Sequence, residues 1–141
     1  MIYIIGSLAN REIPKVGGLL RNSGFQVFDN WYSAGEFADR AWQEYEQAKG
    51  NTFAQALRGP SALNVFQFDK TYLDICTAAV LVGPAGKSGH LELGYVIGQG
   101  KPGFMLLPGE PSKFDVMAAF CAGVHTDINE LIADLKDRRI A

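Results

Sequence analysis

The fold is decided by the stretch Ala79-Val80-Leu81-Val82 and the glycine-rich loop after it, Gly83-Pro84-Ala85-Gly86-Lys87-Ser88-Gly89. A continuous apolar run that ends at glycine and proline predicts a strand buried on both faces, as in a parallel sheet. After the loop, the sequence predicts a helix that reaches about Gln99 and ends at Gly100-Lys101-Pro102. Strand, loop and helix in this order are the repeating unit of an open α/β sheet.

Strands and helices alternate over the rest of the chain. The other predicted strands are residues 2–5, 25–28 and 104–107, and a short edge strand at 124–125. The other predicted helices are residues 12–22, 35–49, 51–58, about 62–77 and 111–122, and a last helix that Thr126 caps. The alternation predicts a single domain, residues 1–141, with a flavodoxin-like or Rossmann-like fold: an open, mostly parallel sheet with helices on both faces.

Composition and charge exclude several classes of protein. Hydrophobic residues make up 48% of the 141 residues, which is enough for one continuous core. The 13 basic and 15 acidic residues include no long basic run, so nothing favours binding to duplex nucleic acid. No apolar run approaches the roughly 20 residues of a membrane span, and the apolar N-terminus is too short for a signal peptide, so we expect a cytoplasmic protein that binds no membrane. Cys76 and Cys121 lack the spacing of a metal site and are predicted to be buried thiols.

The carboxyl ends of the predicted strands are where an open parallel sheet binds its ligands. In this chain those ends are residues 6–8, 29–31, 83–88 and 108–110. Gly6 and Ser7 follow the first strand, where Ser7 either meets a sugar or phosphate or is a simple turn residue. Trp31 follows the second strand, where its ring either stacks on a nucleobase or packs into the core.

One interpretation of the glycine-rich loop is the P-loop of an ATPase or phosphotransferase. Gly86-Lys87-Ser88 matches the end of that motif. The full motif also needs a glycine five residues before Gly86, and that position is Leu81, inside the predicted strand. The loop is too short to wrap a triphosphate, which argues against this interpretation.

The same loop also has a structural and a catalytic interpretation. In the structural one, Ser88 or Gly89 caps the helix, and the helix macrodipole favours an acidic residue at Glu92. In the catalytic one, the free N–H groups of the helix start bind a phosphate, together with Gly86, Gly89 and the Ser88 hydroxyl. Glu92 then lies one turn further in, near the sugar. A carboxylate there can stabilise or trap the oxocarbenium ion that forms when an N-glycosidic bond breaks.

Residues 88–95, Ser-Gly-His-Leu-Glu-Leu-Gly-Tyr, and 98–102, Gly-Gln-Gly-Lys-Pro, resemble the nucleoside 2-deoxyribosyltransferase family, which includes related deoxynucleoside 5′-monophosphate N-glycosidases. Its members carry a small-residue turn, a Glu-Leu-Gly or Glu-Ile-Gly helix start, and a Gly-Lys before the next strand. Ile4-Ile5-Gly6-Ser7 resembles the family's first strand and its phosphate- or sugar-binding loop. The resemblance spans residues 2 to about 107, whereas residues 30–64 and the pair Ala78-Ala79 depart from the family pattern.

The resemblance implies a reaction and a site. Glu92 falls on the family's nucleophile, and Asp69 matches an aspartate, on the helix before the central strand, that positions the ribose or passes a proton to the base. The implied reaction on a nucleoside or nucleotide is retaining: a glycosyl-enzyme forms on Glu92 and is resolved by water or by a second base. The family uses no metal or organic cofactor. Its members form homodimers or larger homo-oligomers and often complete the site from a neighbouring chain.

Several side chains have two interpretations. Arg11 is either a phosphate ligand, as in the nucleotide-type members, or a surface residue. His90 either contacts the base or lies on the surface, and Asp69 without the resemblance is a solvated helix residue. We expect Trp42 in the core and Tyr95 against the sheet. The alternative function is a non-catalytic nucleotide-binding or sensing module of the same fold.

Overall fold

A computed structural model describes all 141 residues and shows one five-stranded sheet with helices on both faces. The strands are β1 (Ile2–Ile5), β2 (Val27–Phe28), β3 (Ala78–Val82), β4 (Gly103–Leu106) and β5 (Gly123–His125). Their order across the sheet is β2-β1-β3-β4-β5, and every neighbouring pair is parallel. This is the flavodoxin-like order, so the fold class predicted from the sequence is confirmed.

Two helices pack on each face of the sheet. The helices of the chain are α1 (Ile13–Asn22), α2 (Ala38–Ala48), α3 (Phe53–Ala56), α4 (Pro60–Ile75), α5 (Lys87–Gly98) and α6 (Ile128–Asp137). Buried residues of α1 and α6 pack on one face, and those of α4 and α5 pack on the other. No helix combines the length and the apolar character that a bilayer crossing requires.

The alternation of side chains along β1 decides which of them reach the α4–α5 face. All four residues of β1 are buried, and successive side chains point to opposite faces of the sheet. Ile2 and Ile4 belong to the core cluster under α1 and α6, whereas Tyr3 and Ile5 belong to the cluster under α4 and α5. The one hydroxyl group of this strand therefore lies beneath α4 and α5.

Residues 35–58, called the arm below, carry α2 and α3 and contribute no side chain to either core cluster. Glu46 on α2 is buried, and Asn51 donates a 2.7 Å hydrogen bond to its carboxylate. The same carboxylate lies beside Gly59, at the start of α4. The expectation that Trp42 lies in the core is wrong. This residue is only partly buried, because α2 packs against neither face of the sheet.

The predicted helix at residues 111–122 is not formed. The segment is irregular apart from one 3-10 turn at Val116–Phe120. The Asp115 carboxylate accepts a 2.9 Å hydrogen bond from the main-chain N–H of Met117, which competes with helical bonding. Phe114 and Val116 are about three-quarters exposed, 77% and 76%, so no packed face offsets the cost of starting a helix.

Two smaller boundaries also differ from the prediction. The cap of α6 is Asp127 rather than Thr126, because the Asp127 carboxylate accepts hydrogen bonds from two main-chain N–H groups of the first turn. The second strand is limited to Val27–Phe28 instead of residues 25–28. The N–H of Phe25 is bonded to the carbonyl of Leu20, in the turn that ends α1.

Candidate active site

A cavity of about 430 Å³ opens between the carboxyl ends of β1 and β3. Its lining comes from the loops after these two strands: Ser7, Ala9, Asn10, Arg11, Pro84, Ala85 and Gly86. The strands are neighbours, yet the helices that follow them cover opposite faces, and open α/β sheets bind ligands at such a point. Of the residues predicted to bind substrate, Ser7, Arg11 and Gly86 are thus brought together around one cavity.

The loop after β1 is held in place by its own side chains. Ser7 Oγ accepts a 3.1 Å hydrogen bond from the N–H of Ala9, and Asn10 Oδ1 accepts a 3.0 Å bond from the N–H of Glu12. The Asn10 amide also donates to the carbonyl of Gly83 at 3.4 Å, which links this loop to the end of β3. Sequence analysis does not single out Asn10, because the group it joins lies 73 residues away.

Two of the predicted glycines allow close packing instead of lining the cavity. A Cβ atom on Gly6 would lie 2.5 Å from Ile13 Cδ1, so the first side chain of α1 would have to move. A Cβ atom on Gly89 would lie 3.1 Å from Ile5 Cγ2. Gly89 therefore lets the first turn of α5 approach the sheet closely.

Two cations at this edge of the sheet are unpaired. Arg11 lines the cavity, is exposed, and forms no ion pair or side-chain hydrogen bond. Lys87, the first residue of α5, is also exposed and unpaired. The Arg11 guanidinium is therefore free for a bound anion, to which arginine offers a planar, bidentate fork.

The first turn of α5 has free main-chain donors. The helix begins at Lys87 with Gly86 in the capping position, and no side chain caps it. The structural interpretation in which Ser88 or Gly89 caps α5 is therefore wrong. His90 is exposed, and its Nδ1 lies 2.8 Å from the carbonyl oxygen of Gly86, so the imidazole turns back onto the loop. The uncapped N–H groups are available to an anion.

Glu92 on α5 and Asp69 on α4 are both partly buried and form a carboxyl pair. Burial raises the pKa of Glu92 to about 7; the charge of Asp69 adds to this rise, and a hydrogen bond with Tyr3 opposes it. Burial also raises the pKa of Asp69 to about 6. Because the charge of Asp69 disfavours ionisation of Glu92, the two carboxyl groups titrate as a coupled pair.

Tyr3 is the third member of this group and is not singled out by sequence analysis. Its side chain is buried beneath the two helices. Burial and the charges of Glu92 and Asp69 raise the pKa of its hydroxyl, which stays protonated and faces the Glu92 carboxylate. The only signal for it in the sequence is that it carries the one hydroxyl in an otherwise aliphatic strand.

Neither carboxyl group lines the cavity, but Glu92 is on α5, six residues after the lining residue Gly86. Glu92 follows Ser88 by four residues, so the two side chains share one face of α5 and are about 6 Å apart along the helix axis. Ser88 is exposed and lies two residues from the cavity wall at Gly86. An anion at the helix start and a sugar over Glu92 could therefore belong to one ligand.

Two aromatic side chains near the site are fixed by hydrogen bonds. Trp31 Nε1 donates a 2.7 Å bond to the carbonyl of Ile4, and the Trp31 ring packs against both core clusters without lining the cavity. The expectation that Tyr95 packs against the sheet is wrong. Tyr95 is 38% exposed, because it lies on the side of α5 that faces α4, and its hydroxyl donates to Asp74.

Comparison with protein-family models and with curated proteins gives no match to this chain. The chemistry of the site is therefore argued from its own residues. They are two partly buried carboxyl groups with raised pKa values, a buried tyrosine, and a cavity with an unpaired arginine at the start of the helix that carries Glu92. Such a carboxyl pair can supply a nucleophile and a proton donor at the same pH.

Proposed function

We propose that the protein cleaves or transfers the N-glycosidic bond of a (deoxy)nucleoside or nucleoside 5′-monophosphate, with Glu92 as the nucleophile. The observation that carries the proposal is the proximity of Glu92 and Asp69, two partly buried carboxyl groups whose pKa values are raised to about 7 and about 6, with Glu92 on the helix that follows the cavity-lining Gly86. The proposed reaction proceeds from the singly protonated pair in which Glu92 is ionised and Asp69 carries the proton; because Glu92 has the higher pKa, this is the less populated of the two singly protonated forms. The resemblance of residues 88–95 to nucleoside 2-deoxyribosyltransferases supports the same reaction.

In the proposed first step, a carboxylate oxygen of Glu92 attacks the anomeric carbon and forms the C–O bond of a glycosyl-enzyme ester. The C–N bond breaks, its electron pair goes to the departing base, and the carboxyl group of Asp69 donates a proton to that base. The hydrogen bond from Tyr3 orients the attacking carboxylate. Because the site is partly buried, the carboxylate attracts the oxocarbenium charge more strongly than it would in water.

In the proposed second step, the ionised Asp69 takes a proton from a water molecule, which attacks the anomeric carbon and releases the sugar from Glu92. A second base that carries an N–H proton can replace the water, and the product is then a new glycoside. Microscopic reversibility assigns Asp69 the acid role in one step and the base role in the other. This route uses no metal or organic cofactor.

Arg11 and the start of α5 favour a 5′-monophosphate among the possible substrates. The unpaired guanidinium lines the cavity, and the first turn of α5 adds free N–H groups and the Ser88 hydroxyl. A phosphate bound there would direct the sugar along the face of α5 that carries Glu92. His90, which is exposed on the first turn of α5, is the proposed contact for the base.

The alternative is a non-catalytic nucleotide-binding or sensing module. The open cavity and Arg11 could hold a nucleotide phosphate without help from the carboxyl pair. The raised pKa values of Glu92 and Asp69 favour the enzyme, however, because two carboxyl groups that resist ionisation destabilise the folded chain at neutral pH. Perturbed carboxyl groups of this kind concentrate at catalytic sites.

We also propose that the chain forms a homodimer or larger homo-oligomer through α4. Four apolar side chains in the first nine residues of α4 are between 43% and 61% exposed, namely Leu63, Val65, Phe66 and Phe68. They occupy several sides of the helix, and a large exposed apolar patch typically marks an interaction surface. Size-exclusion chromatography of Phe66→Glu tests this: a shift to the monomer is expected, with Leu19→Glu, at a 45% exposed site on α1, as the unshifted control.

A cytoplasmic location is proposed on the state of the cysteines. Cys76 is buried, Cys121 is partly buried, and both are free thiols. Burial raises the pKa of both thiols, so they are poorly reactive. Unpaired cysteines are typical of proteins in a reducing compartment.

The decisive experiment measures release of free base from a panel of nucleosides and 5′-monophosphates, ribo and deoxy, with and without an acceptor base. Wild type is compared with Glu92→Ala and with Glu44→Gln, which changes an exposed glutamate of the arm. Release that is lost only in Glu92→Ala supports the glycosidic mechanism, and the acceptor lanes separate hydrolysis from transfer. Nucleotide binding without release by any variant would sink the enzyme proposal and favour the sensing module.

A further inference from the structure

α4 carries Asp69 but is attached to the rest of the molecule mainly by its last turns. Its first half exposes apolar side chains, and Leu73 is its one buried residue. Tyr72 stacks on Phe28 with ring centroids 3.8 Å apart. Leu73 and Tyr72 pack against the cluster that also contains residues of α5. The position of Asp69 therefore depends on what holds the C-terminal end of α4.

Asp74 is the polar centre of that attachment. Its carboxylate accepts hydrogen bonds from the Tyr95 hydroxyl, from Gln99 Nε2 at 3.0 Å and from Lys70 Nζ at 2.8 Å. Tyr95 and Gln99 belong to α5, whereas Lys70 lies on α4, so one side chain joins the two helices. The hydrogen bonds from Lys70, Tyr95 and Gln99 lower the pKa of Asp74 to about 2, which keeps it ionised.

Lys101 adds a second connection at the same point. Its ammonium group donates to the carbonyl oxygens of Leu73 and Asp74 at 3.0 Å and 2.6 Å. These are among the last carbonyl groups of α4, which have no partner within the helix. Lys101, which follows α5 in sequence, thus holds the C-terminal end of α4.

On each helix, the carboxyl group lies about one to one and a half turns before the residue that forms the Asp74–Tyr95 hydrogen bond. Asp69 precedes Asp74 by five residues, and Glu92 precedes Tyr95 by three, or about 7.5 Å and about 4.5 Å along the two axes. Both steps run in the same direction, towards the helix C-termini. A rotation or shift of α4 at Asp74 would therefore change the distance between Asp69 and Glu92.

We infer that Asp74 is a positioning residue: by binding Tyr95 and Gln99 it fixes α4 against α5 and so sets the separation of Asp69 and Glu92. The effect on catalysis rests on the proposed function, whereas the effect on the carboxyl pair does not. The groups that face Glu92 are Asp69 on α4 and Tyr3 on β1. Asp74 does not touch the substrate path; it acts through the helices.

Tyr95→Phe is the first test, because it removes one donor to Asp74 without changing any charge. Looser helices admit water and separate the carboxyl groups, so both effects lower the pKa values of the pair. The expected result is a pH profile for base release displaced to lower pH by about one unit. We also expect kcat to fall by about tenfold or more while KM changes little, since small misplacements of reacting groups are costly.

Asp74→Ala should displace the profile in the same direction and further. Glu44→Gln, which breaks an exposed ion pair with Arg40 on α2, is the matched control and should change neither the profile nor kcat. A loss of kcat without any displacement of the pH profile in Tyr95→Phe would overturn the inference, because a merely structural contact would behave that way.

A second readout needs no activity. In the wild-type background, Glu92→Gln should raise the free energy of unfolding by an amount that increases with pH. In the Tyr95→Phe background, this increase with pH should be smaller. If wild type releases no base from any substrate, the proposed function fails, but this urea-unfolding comparison still decides the role of Asp74. Equal growth in both backgrounds would overturn the inference on its own, and Tyr95→Phe serves where Asp74→Ala fails to fold.

Discussion

The hydroxyl of Tyr3, on β1, faces the carboxylate of Glu92, on α5, and favours its ionisation. The two residues are 89 positions apart, and their interaction links the sheet to the helix that starts at the cavity. It is the one interaction that opposes the rise in the pKa of Glu92 caused by burial and by Asp69. This interaction therefore helps to set the pH at which Glu92 is ionised.

Tyr3→Phe should raise the pKa of Glu92 above its value of about 7. The acidic limb of kcat/KM for base release should move to higher pH, and activity at pH 6 should fall more than activity at pH 8. Phenylalanine fills the same space, so the loss of stability should stay within about 1.5 kcal/mol. An acidic limb that stays in place in the pH profile would show that the hydroxyl does not act on Glu92.

Glu92→Gln should stabilise the fold in a pH-dependent way. The pKa of Glu92 is raised from 4.5 to about 7 in the folded chain, so the folded state binds the proton more tightly than the unfolded state. The stability that this proton contributes is present below pH 4.5 and is lost as pH rises through about 7. The glutamine side chain is neutral at every pH, so the variant does not lose this stability as pH rises.

Urea unfolding should therefore show little difference between wild type and Glu92→Gln near pH 4. Above pH 7.5 the variant should be more stable by on the order of 2 kcal/mol. Glu44→Gln, at an exposed position, should show no such growth with pH. A variant that gains nothing at high pH would mean that Glu92 is ordinarily solvated.

Asp69→Asn should remove the alkaline limb of the pH profile and lower the pKa of Glu92, because the neighbouring charge that raises it is gone. The rate should fall by roughly 10²- to 10⁴-fold, the usual contribution of a general acid. A base that is methylated at a ring nitrogen leaves without needing a proton. The rate for a nucleotide with such a base should therefore fall much less in Asp69→Asn. Equal losses on both substrates would argue against proton donation by Asp69.

Arg11→Ala should separate monophosphates from nucleosides. Loss of a charge-assisted contact to a phosphate costs roughly 1.5–3 kcal/mol, which corresponds to an increase in KM of about ten- to a hundredfold. KM for the matching nucleoside should not change. Arg58→Ala, an exposed arginine of the arm, is the control for a general effect of charge. A uniform effect on both substrate types would place the phosphate elsewhere.

The sheet was predictable because two of its three inner strands, Ile2–Ile5 and Ala78–Val82, are continuous apolar runs, the pattern of strands that are buried on both faces. The segment at residues 111–122 was not, because its helix-like spacing has no surface to pack on and Asp115 bonds to a nearby N–H instead. Helix-like spacing of apolar residues produces a helix only when the apolar face has a surface to pack on.

The site was predictable in part, for a similar reason. Arg11 and Gly86 follow strands, so the topology alone brings them to one edge of the sheet. The proximity of Asp69 and Glu92 was expected only from the family resemblance. Tyr3 was missed because nothing local marks it: its role depends on how α5 lies over β1, which the sequence does not express at short range.

α4 belongs to two parts of the molecule at once, since its exposed first half continues from the arm and its last turns pack on the sheet. A helix of 16 residues is about 24 Å long and bends little over that length. Asp69 lies between the exposed first half of α4 and its attached last turns, so a displacement of the exposed half would also move Asp69. A molecule that binds to the exposed half would therefore alter the separation of Asp69 and Glu92 without touching either, and control of the proposed reaction could evolve at a distance from its chemistry.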